Sequence, residues 1–514
     1  MIGSKVMLAQ GFATLSDLIS VYAVERSGVA AIRVGERSID YAELDAVMNL
    51  VSAGLQRDGV AAGQTVAIVS DTTAECALVF LGALRAGCVP VPIAPSATSS
   101  QIADMISDSG APVVFVGAGA AGDVDRSQVN VDIVGLDRLD AWLPQAGSVP
   151  RRVVRTAEDP FNLIYSSGTT GTPKGILHTH GMRWAQIVAY AAAEFDGAVT
   201  IVATPLYSNT TLVSLLPTLA YGGTAVLLGK FDATQFQAAA KRERATHVML
   251  VPVQYQRIMQ VPDFDSFDLS SFRFKSCTSA PFAAELKADV VRRWPGMLVE
   301  IYGMTEGGGS CLLYANLSPH KLHTVGQPAP ANDIRLIDED GREVPQGGIG
   351  EVVGRSGIMM AGYHGRPDAT TAAIWTDGQG NGFIRHGDLG RFDEDGFLEL
   401  LGRSKDMIIS GGFNIYPPDI ERVLLDHPAV ADAAVIGVPS EAWGETPYAF
   451  VEATDEVDPA ELVAWVNARV GKTQRLSGAA MIDELPRSAI GKVLKVALRD
   501  RYAATPSIEH EGNL

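Results

Sequence analysis

The stretch FNLIYSSGTTGTPKG, Phe161 to Gly175, decides the fold of this chain. Phe161–Tyr165 is mostly apolar and predicts a buried strand. The glycines of Ser166–Gly175 let the backbone turn so that its N–H groups point at one anion. A flexible surface loop is the alternative, but the segment follows a buried strand directly. The predicted phosphate contacts are Ser166, Ser167, Gly168, Thr169, Thr170, Gly171, Thr172 and Lys174.

This segment is not a Walker A loop, because Gly-Lys followed by Ser or Thr is required there. The hydroxyls and the charge of Lys174 add hydrogen-bond donors for phosphate oxygens. Read by itself, the loop predicts only that a polyphosphate binds.

Strands and helices alternate on both sides of this loop, which predicts an α/β fold with largely parallel sheets. Apolar runs that predict strands are Thr65–Val69, Pro112–Val116, Thr200–Ala203, Thr224–Leu228 and His247–Val251. Helical patterns between them are Glu75–Ala86, Phe231–Arg244 and Ala283–Trp294.

The sequence pattern changes near Asp333, where short predicted strands are separated by Asp-Gly and Gly-Gly turns. This pattern predicts a small β-rich subdomain. After Leu401 a separate α+β pattern begins. We therefore predict an N-terminal domain over residues 1–402, with the β-rich subdomain at about 333–402. A small C-terminal domain is predicted over residues 403–514, and its mobility is implied only by the resemblance described below.

Composition excludes several classes of function. The net charge of −18 argues against non-specific binding to nucleic acid, which requires basic patches. Four dispersed cysteines without CxxC argue against a disulfide framework or a zinc site. We recognise no signal peptide and no membrane-spanning run, so we expect a cytoplasmic protein.

Further segments, in order, accompany the loop: Thr278–Pro281, Tyr302-Gly303-Met304-Thr305-Glu306, Gly387-Asp388, Gly402-Arg403 and Pro486–Lys492. Together with the loop they resemble the acyl-adenylate-forming superfamily of acyl-CoA synthetases, aryl-CoA ligases, luciferases and peptide-synthetase adenylation domains. The resemblance covers nearly the whole chain. It implies a ligase that uses ATP, Mg²⁺ and coenzyme A to convert a small carboxylic acid into its thioester, and leaves a homodimer open.

The resemblance also implies roles for individual residues. Lys492 would drive adenylation, Thr305 would hydrogen-bond the α-phosphate, and Glu306 would bind Mg²⁺. Asp406 would be the hinge of the C-terminal domain. This chain has His386 before Gly387-Asp388, where the family usually has Thr. The nucleotide contacts it implies beyond the loop are Ser279, Ala280, Pro281, Tyr302, Gly303, Thr305, Asp388, Arg403, Lys405 and Asn414.

For the second half-reaction, the resemblance implies a coenzyme A tunnel beside Gly411 and Gly412, with Trp443 nearer the nucleotide end. The acyl pocket would be lined by Trp184, Tyr207, Ser208, Asn209, Val253, Gly307 and Gly308. Ser208 stands where the family often has histidine, and the glycines after Glu306 suggest a deep or wide pocket. An aryl, arylalkyl, alicyclic or medium branched acid is expected.

Two alternatives remain beside the CoA ligase. One is an adenylation enzyme that loads a carrier protein. The other, from a different class, is a dinucleotide-binding oxidoreductase, because Gly117–Gly122 matches GxGxxG after a predicted strand. The polar stretch Asp123–Asn130 lacks the helical periodicity that such a site needs, so the oxidoreductase is disfavoured.

Overall fold

The computed structural model describes residues 3–120, 124, 129, 131–166, 174–410, 413–440, 443–488 and 491–504. Two compact units emerge. Unit 1 comprises Met1–Ile334 and Gly354–Ile384, and unit 2 comprises Arg335–Val353 and Arg385–Leu514. Helices and strands are mixed in both units, so the predicted α/β class is confirmed. The domain boundary after residue 402, with a hinge at Asp406, stays a prediction.

The helices are α1 (Ser4–Leu8), α2 (Leu15–Glu25), α3 (Tyr41–Arg57), α4 (Ala74–Arg85), α5 (Ser99–Ser109), α6 (Leu139–Trp142), α7 (His180–Ala189), α8 (Asn209–Ala220), α9 (Ala233–Arg242), α10 (Pro252–Met259), α11 (Ala284–Arg293), α12 (Pro367–Ala372), α13 (Pro417–Leu425), α14 (Pro459–Asn467) and α15 (Lys495–Ala504).

The strands up to residue 328 are β1 (Ala30–Val34), β2 (Arg37–Asp40), β3 (Thr65–Val69), β4 (Val89–Ile93), β5 (Val113–Val116), β6 (Asp132–Gly135), β7 (Pro160–Ser166), β8 (Lys174–Thr179), β9 (Val199–Val202), β10 (Thr224–Leu227), β11 (His247–Leu250), β12 (Phe274–Cys277), β13 (Met297–Gly303), β14 (Ser310–Tyr314) and β15 (Gln327–Pro328). Those beyond it are β16 (Asp333–Ile337), β17 (Ile349–Arg355), β18 (Gly362–Tyr363), β19 (Ile374–Thr376), β20 (Gly382–Phe392), β21 (Leu398–Arg403), β22 (Ile408–Ser410), β23 (Phe413–Ile415), β24 (Val430–Ser440), β25 (Gly444–Ala453) and β26 (Gly478–Met481).

Unit 1 is organised by a nine-stranded sheet in the order β15-β14-β13-β12-β11-β9-β10-β1-β2. The strands from β13 to β1 pair in parallel, with helices between them in sequence. Such strands are buried on both faces and read as continuous apolar runs, which is why the sequence predicted them closely. A smaller parallel sheet has the order β4-β3-β5-β6.

A three-stranded antiparallel sheet, β18-β8-β7, holds the two ends of the predicted phosphate loop. Ser166, the last residue of β7, pairs with Lys174, the first residue of β8. The backbone N–H of His364 donates to the Gly175 carbonyl at 2.8 Å. Residues 167–173, the body of the loop, lie outside the described residues.

In unit 2, β24 and β25 form a long antiparallel pair, flanked by β22 and β23 on one side and by β26. A core cluster of unit 2 contains Ile420 and Leu424 of α13, Leu462 and Val466 of α14, and strand residues such as Val435. This arrangement confirms a small α+β C-terminal region. No helix among the described residues is long and apolar enough to cross a membrane.

The loop Gly117–Ala120 follows β5 and contains a short 3-10 turn. Residues 121 and 122 of the GxGxxG match lie outside the described residues. All four cysteines are buried and unpaired. Among the described residues no cluster of His, Cys, Asp and Glu suits a metal ion.

Candidate active site

Parallel strands deliver the candidate residues of unit 1 to one edge of the large sheet. β9, β11, β12 and β13 are neighbours, so their carboxyl ends lie side by side. Tyr207 follows β9, Val253 follows β11, Ser279 follows β12 and Thr305 follows β13. Four segments that are distant in sequence therefore meet at the edge where ligands of open α/β sheets bind.

The turn predicted to face adenine is held rigidly. Ser279 adopts a left-handed backbone, with φ of +82°, which costs free energy for a residue other than glycine. Its hydroxyl forms a hydrogen bond with the Thr210 hydroxyl at 2.9 Å, and the Thr278 hydroxyl donates to the Ile301 carbonyl at 2.7 Å. These bonds hold the turn against the start of α8 and the end of β13.

Thr305 and Glu306 are each anchored by a partner from another segment. The Nε2 atom of His178 lies 2.8 Å from the Thr305 carbonyl. The Tyr363 hydroxyl donates to Oε1 of Glu306 at 2.8 Å. Burial, reinforced by Glu306, raises the pKa of Tyr363, so this hydroxyl remains a donor at neutral pH. Nζ of Lys174 lies over the Tyr363 ring, 5.1 Å from its centroid.

The Glu306 carboxylate has the chemistry expected of a single protein ligand for Mg²⁺. One hydrogen bond from Tyr363 leaves further lone pairs on a group that has about four. Mg²⁺ at phosphate sites commonly takes one or two protein carboxylates, with phosphates and water completing its shell. The donor chemistry therefore fits the ion that the resemblance implied.

The glycines after Glu306 have a reason other than pocket size. Gly307 has φ of +74°, and a Cβ there would collide with the Ile358 carbonyl. A Cβ on Gly309, with φ of +90°, would meet Ile334. Close packing of neighbouring segments thus accounts for two of the three glycines, and Gly307 and Gly308 are both buried.

The base of the phosphate loop is braced by an ion pair. The Tyr165 hydroxyl, at the end of β7, donates to Asp108 at 2.7 Å. Arg366 donates to the other oxygen of Asp108 at 2.8 Å. The loop therefore leaves the sheet from a fixed position, whatever the arrangement of residues 167–173.

In unit 2, Asp388 and Arg403 are brought together by strand register. They are directly opposite each other on β20 and β21, and Arg403 Nε lies 2.8 Å from Asp388 Oδ1. Cross-strand neighbours on one face lie within side-chain reach. The pair was predicted to bind ribose, and the register explains how two distant residues reach one position.

Lys492 joins this pair. Burial lowers its pKa, Arg403 lowers it further, and Asp388 and Asp406 oppose the shift. All three charges are therefore close enough to influence the ammonium group. A tight turn presents it, in which the Ser488 N–H donates to the Lys492 carbonyl at 2.8 Å. Residues 489–490 at the tip lie outside the described residues.

The remaining predicted residues of unit 2 are distributed around this cluster. Asp406 pairs with Arg499 of α15 at 2.8 Å. Lys405 and Asn414 are exposed, and Trp443 is 60% exposed. Gly411 and Gly412 lie outside the described residues, so the predicted thiol tunnel is not described.

The predicted acyl-pocket residues are not all brought together. Trp184 is buried in the main core, edge-on to Phe12, and its indole N–H donates to the Gln10 carbonyl at 3.2 Å. We therefore leave it out of the pocket. Ser208 is the N-cap of α8, accepting from the Thr210 N–H at 3.3 Å. Tyr207 is half-buried, and Val253 is partly exposed on α10.

Sequence reasoning missed a polar cluster beside these segments. Arg183 of α7 is 1% exposed and donates to Asn209 at 2.8 Å and to His178 at 2.7 Å. Tyr363 was also missed. The available signal was an arginine on the face of a helix that otherwise presents Met182 and Ile187 to the interior.

Comparison with known proteins shows the family of the chain. Residues 21–364 match the family described as AMP-binding enzyme, and residues 419–492 match the AMP-binding enzyme C-terminal domain. The chain belongs to the AMP-binding enzyme family, which confirms the predicted superfamily.

The chain is similar to the long-chain-fatty-acid–CoA ligase FadD13 of Mycobacterium tuberculosis, with 32% identity over 90% of this chain and 93% of that protein. It is 34% identical to a feruloyl-CoA synthase of Amycolatopsis over 92% of this chain and 96% of that one. The o-succinylbenzoate CoA synthetase MenE of Bacillus subtilis, solved with its acyl-adenylate intermediate OSB-AMP, superposes with a TM-score of 0.85 at 26% identity, covering 97% of this chain and 99% of that one. The prediction of an AMP-forming acid–thiol ligase agrees with these relatives.

Proposed function

We propose that this chain is an ATP-dependent carboxylic acid–CoA ligase that forms an acyl-AMP intermediate and then a thioester. The observation that carries the proposal is that Arg403 pairs with Asp388 at 2.8 Å and that both charges act on the pKa of the partly buried Lys492. A partly buried lysine beside a carboxylate–arginine pair offers both a cation for an α-phosphate and acceptors for a ribose diol.

The first half-reaction must bring one anion onto another. A carboxylate oxygen of the acid attacks the α-phosphorus of ATP, the bond from that phosphorus to the bridging oxygen breaks, and pyrophosphate leaves with the electron pair. Fixed positive charge and donors lower this barrier where negative charge accumulates. In our proposal Lys492 supplies the charge, Thr305 donates to the α-phosphate, and Lys174 and the loop Ser166–Gly175 hold the departing phosphates.

Mg²⁺, bound through Glu306, would neutralise phosphate charge during this step. Tyr363 would keep the Glu306 carboxylate in place by donating one hydrogen bond. Asp388 and Arg403 would hold the ribose, so that the nucleotide keeps its position through both half-reactions.

In the second half-reaction the thiol of coenzyme A releases its proton to solvent, its sulfur bonds to the acyl carbon, and AMP leaves with the electron pair of the broken acyl–oxygen bond. Gly411, Gly412 and Trp443 are the residues proposed to face the thiol and its nucleotide. The acid is proposed to be aryl, arylalkyl, alicyclic or medium branched. Tyr207, Asn209, Val253 and Gly308 are the proposed contacts of its acyl group.

The decisive experiment incubates the protein with ATP, Mg²⁺, coenzyme A and a panel of acids from these classes and from linear fatty acids. AMP and acyl-CoA are measured in each reaction. We expect both products in equal amounts with at least one acid. If AMP accumulated with a carrier protein but not with coenzyme A, carrier loading would replace our proposal, and no product with any acid would reject it.

A further inference from the structure

Arg183 is a buried cation surrounded by neutral acceptors. Its Nε donates to Asn162 at 3.0 Å and its Nη1 to Gln186 at 2.7 Å. Its Nη2 donates to His178 Nδ1 at 2.7 Å and to Asn209 Oδ1 at 2.8 Å. In the part of the chain that the structure describes, it forms no ion pair. Burial lowers its pKa to about 9, so it is charged at neutral pH.

The guanidinium determines which tautomer His178 adopts. Arginine only donates hydrogen bonds, so Nδ1 of His178 must accept and the proton must reside on Nε2. That N–H then donates to the Thr305 carbonyl at 2.8 Å. Burial and the charge of Arg183 hold the pKa of His178 well below its usual range. The imidazole is therefore neutral, and its two hydrogen bonds have fixed directions.

We infer that Arg183 and His178 are positioning residues for adenylation, and that they act by fixing the peptide between Thr305 and Glu306. This inference rests on the function proposed above. Because the peptide unit is planar, anchoring its carbonyl also orients the Glu306 N–H and places the two Cα atoms that carry the Thr305 and Glu306 side chains. Thr305 is proposed to contact the α-phosphate, and Glu306 is proposed to bind Mg²⁺.

Two further features support a role beyond packing. Arg183 also holds Asn209, the first residue of α8, so the same cation reaches a proposed acyl-pocket residue. A buried positive charge without an acidic partner is costly unless something compensates it. The anions that this site is proposed to bind would supply that compensation through the low-dielectric interior.

The test compares His178→Leu with His178→Gln, which keeps one donor and one acceptor. The matched control is His247→Leu. His247 is also buried in unit 1, and its Nε2 lies 2.7 Å from a backbone carbonyl, that of Ala193. Both leucine variants remove the same type of bond, but only one of those bonds reaches the Thr305 carbonyl. Arg183→Lys is a second test variant, because lysine keeps the positive charge but lacks the forked arrangement of guanidinium N–H donors.

Two quantities are measured for each variant: the dissociation constant of Mg·ATP by equilibrium dialysis, and kcat for acid-dependent pyrophosphate exchange. For His178→Leu and Arg183→Lys we expect Mg·ATP binding about tenfold weaker and exchange about 10- to 100-fold slower. His178→Gln should recover part of both losses, and His247→Leu should change neither by more than about threefold.

Equal losses in His178→Leu and His247→Leu would overturn the inference, since they would mark a general effect of a buried cavity. Unchanged Mg·ATP binding in both His178→Leu and Arg183→Lys would also overturn it. If none of the acids tested supported pyrophosphate exchange by the wild-type protein, the proposed function would fail separately, because Mg·ATP binding is measured without an acid.

Discussion

The two candidate centres, one in each unit, are built in opposite ways. In unit 1, the Thr305–Glu306 segment is anchored by His178 and Tyr363, and behind His178 lies the fully buried Arg183. In unit 2, the Arg403 side chain is 43% exposed and that of its partner Asp388 is 17% exposed. One centre depends on directional hydrogen bonds inside a core, and the other on a charge cluster near solvent.

This difference suggests a division of labour. Buried hydrogen bonds have few alternatives, so the unit 1 centre is preorganised, as its proposed binding of phosphate and metal requires. Half-exposed ion pairs contribute only about 0–1 kcal/mol and are screened by salt. The unit 2 centre can therefore change its partners at little cost, which suits Lys492, the one member of this centre that is proposed for a single half-reaction.

The largest effect should come from Lys492→Ala. Pyrophosphate exchange should fall about 100- to 1,000-fold, because the cation beside the α-phosphate is lost. Attack of coenzyme A on supplied acyl-AMP should stay within about threefold of wild type. Lys472→Ala, an exposed lysine of the same unit, is the control. Equal loss of both half-reactions would contradict the assignment of Lys492 to adenylation.

Glu306→Gln should have the next largest effect, on the metal. The Mg²⁺ concentration for half-maximal exchange should rise about tenfold or more, because the amide is a weaker ligand for a hard cation. Tyr363→Phe removes only the hydrogen bond that holds the carboxylate, so its shift should be in the same direction and smaller. An unchanged Mg²⁺ requirement in Glu306→Gln would show that the metal binds elsewhere.

Asp388→Ala should change nucleotide selectivity more than the chemical step. The KM for ATP should rise about tenfold, and the preference for ATP over 2′-deoxy-ATP should shrink, since one of the acceptors of the ribose diol is gone. Titration of both nucleotides against wild type and variant measures this. A preserved preference for ATP would remove Asp388 from the ribose site.

The smallest effect on activity, but a measurable one on stability, concerns pH and unit 1. Burial lowers the pKa of His180 and of His247 to about 4. Between that value and the unfolded value of about 6.5, the unfolded chain binds a proton that the folded chain does not. The contribution of these two histidines to stability is therefore fully present above about pH 6.5 and is lost as the pH falls toward 4.

Each of these histidines should lower the free energy of unfolding by about 2 kcal/mol at pH 5 relative to pH 7. Urea unfolding followed by tryptophan fluorescence at several pH values measures the decline. Leucine cannot take up the proton, so in His247→Leu the decline in the free energy of unfolding from pH 7 to pH 5 should be smaller by about 2 kcal/mol, the contribution of one histidine. A slope identical to that of wild type would mean that His247 is not buried in its neutral form.

The sequence predicted the parallel strands of unit 1 closely, because both faces of such strands are buried and their residues are apolar. Thr65–Val69 matches β3 residue for residue, and the other parallel strands differ by one residue at one or both ends. Helix ends shifted more, as with Phe231–Arg244, which forms α9 only from Ala233 to Arg242. Capping decides those ends, since the Asp232 side chain accepts from the Gln235 N–H.

Side-chain environments were predicted less well. Trp184 was expected in the acyl pocket because aromatic side chains often line such pockets, yet it packs into the core. The glycines after Glu306 were read as space for substrate, but Gly307 and Gly309 are required by backbone conformation and close neighbours. The missing information is the same for both: local sequence does not reveal which segment packs against a residue.

The sequence by itself determined the family, the order of the motifs and the chemical types of the reacting groups, because these depend on residue identity and spacing along the chain. Only the tertiary structure decided that strand register places Asp388 against Arg403, that Tyr363 holds Glu306, and that Arg183 and His178 lie behind Thr305. Those contacts join residues far apart in the chain. Their partners are selected by sheet topology and burial, which no local pattern encodes.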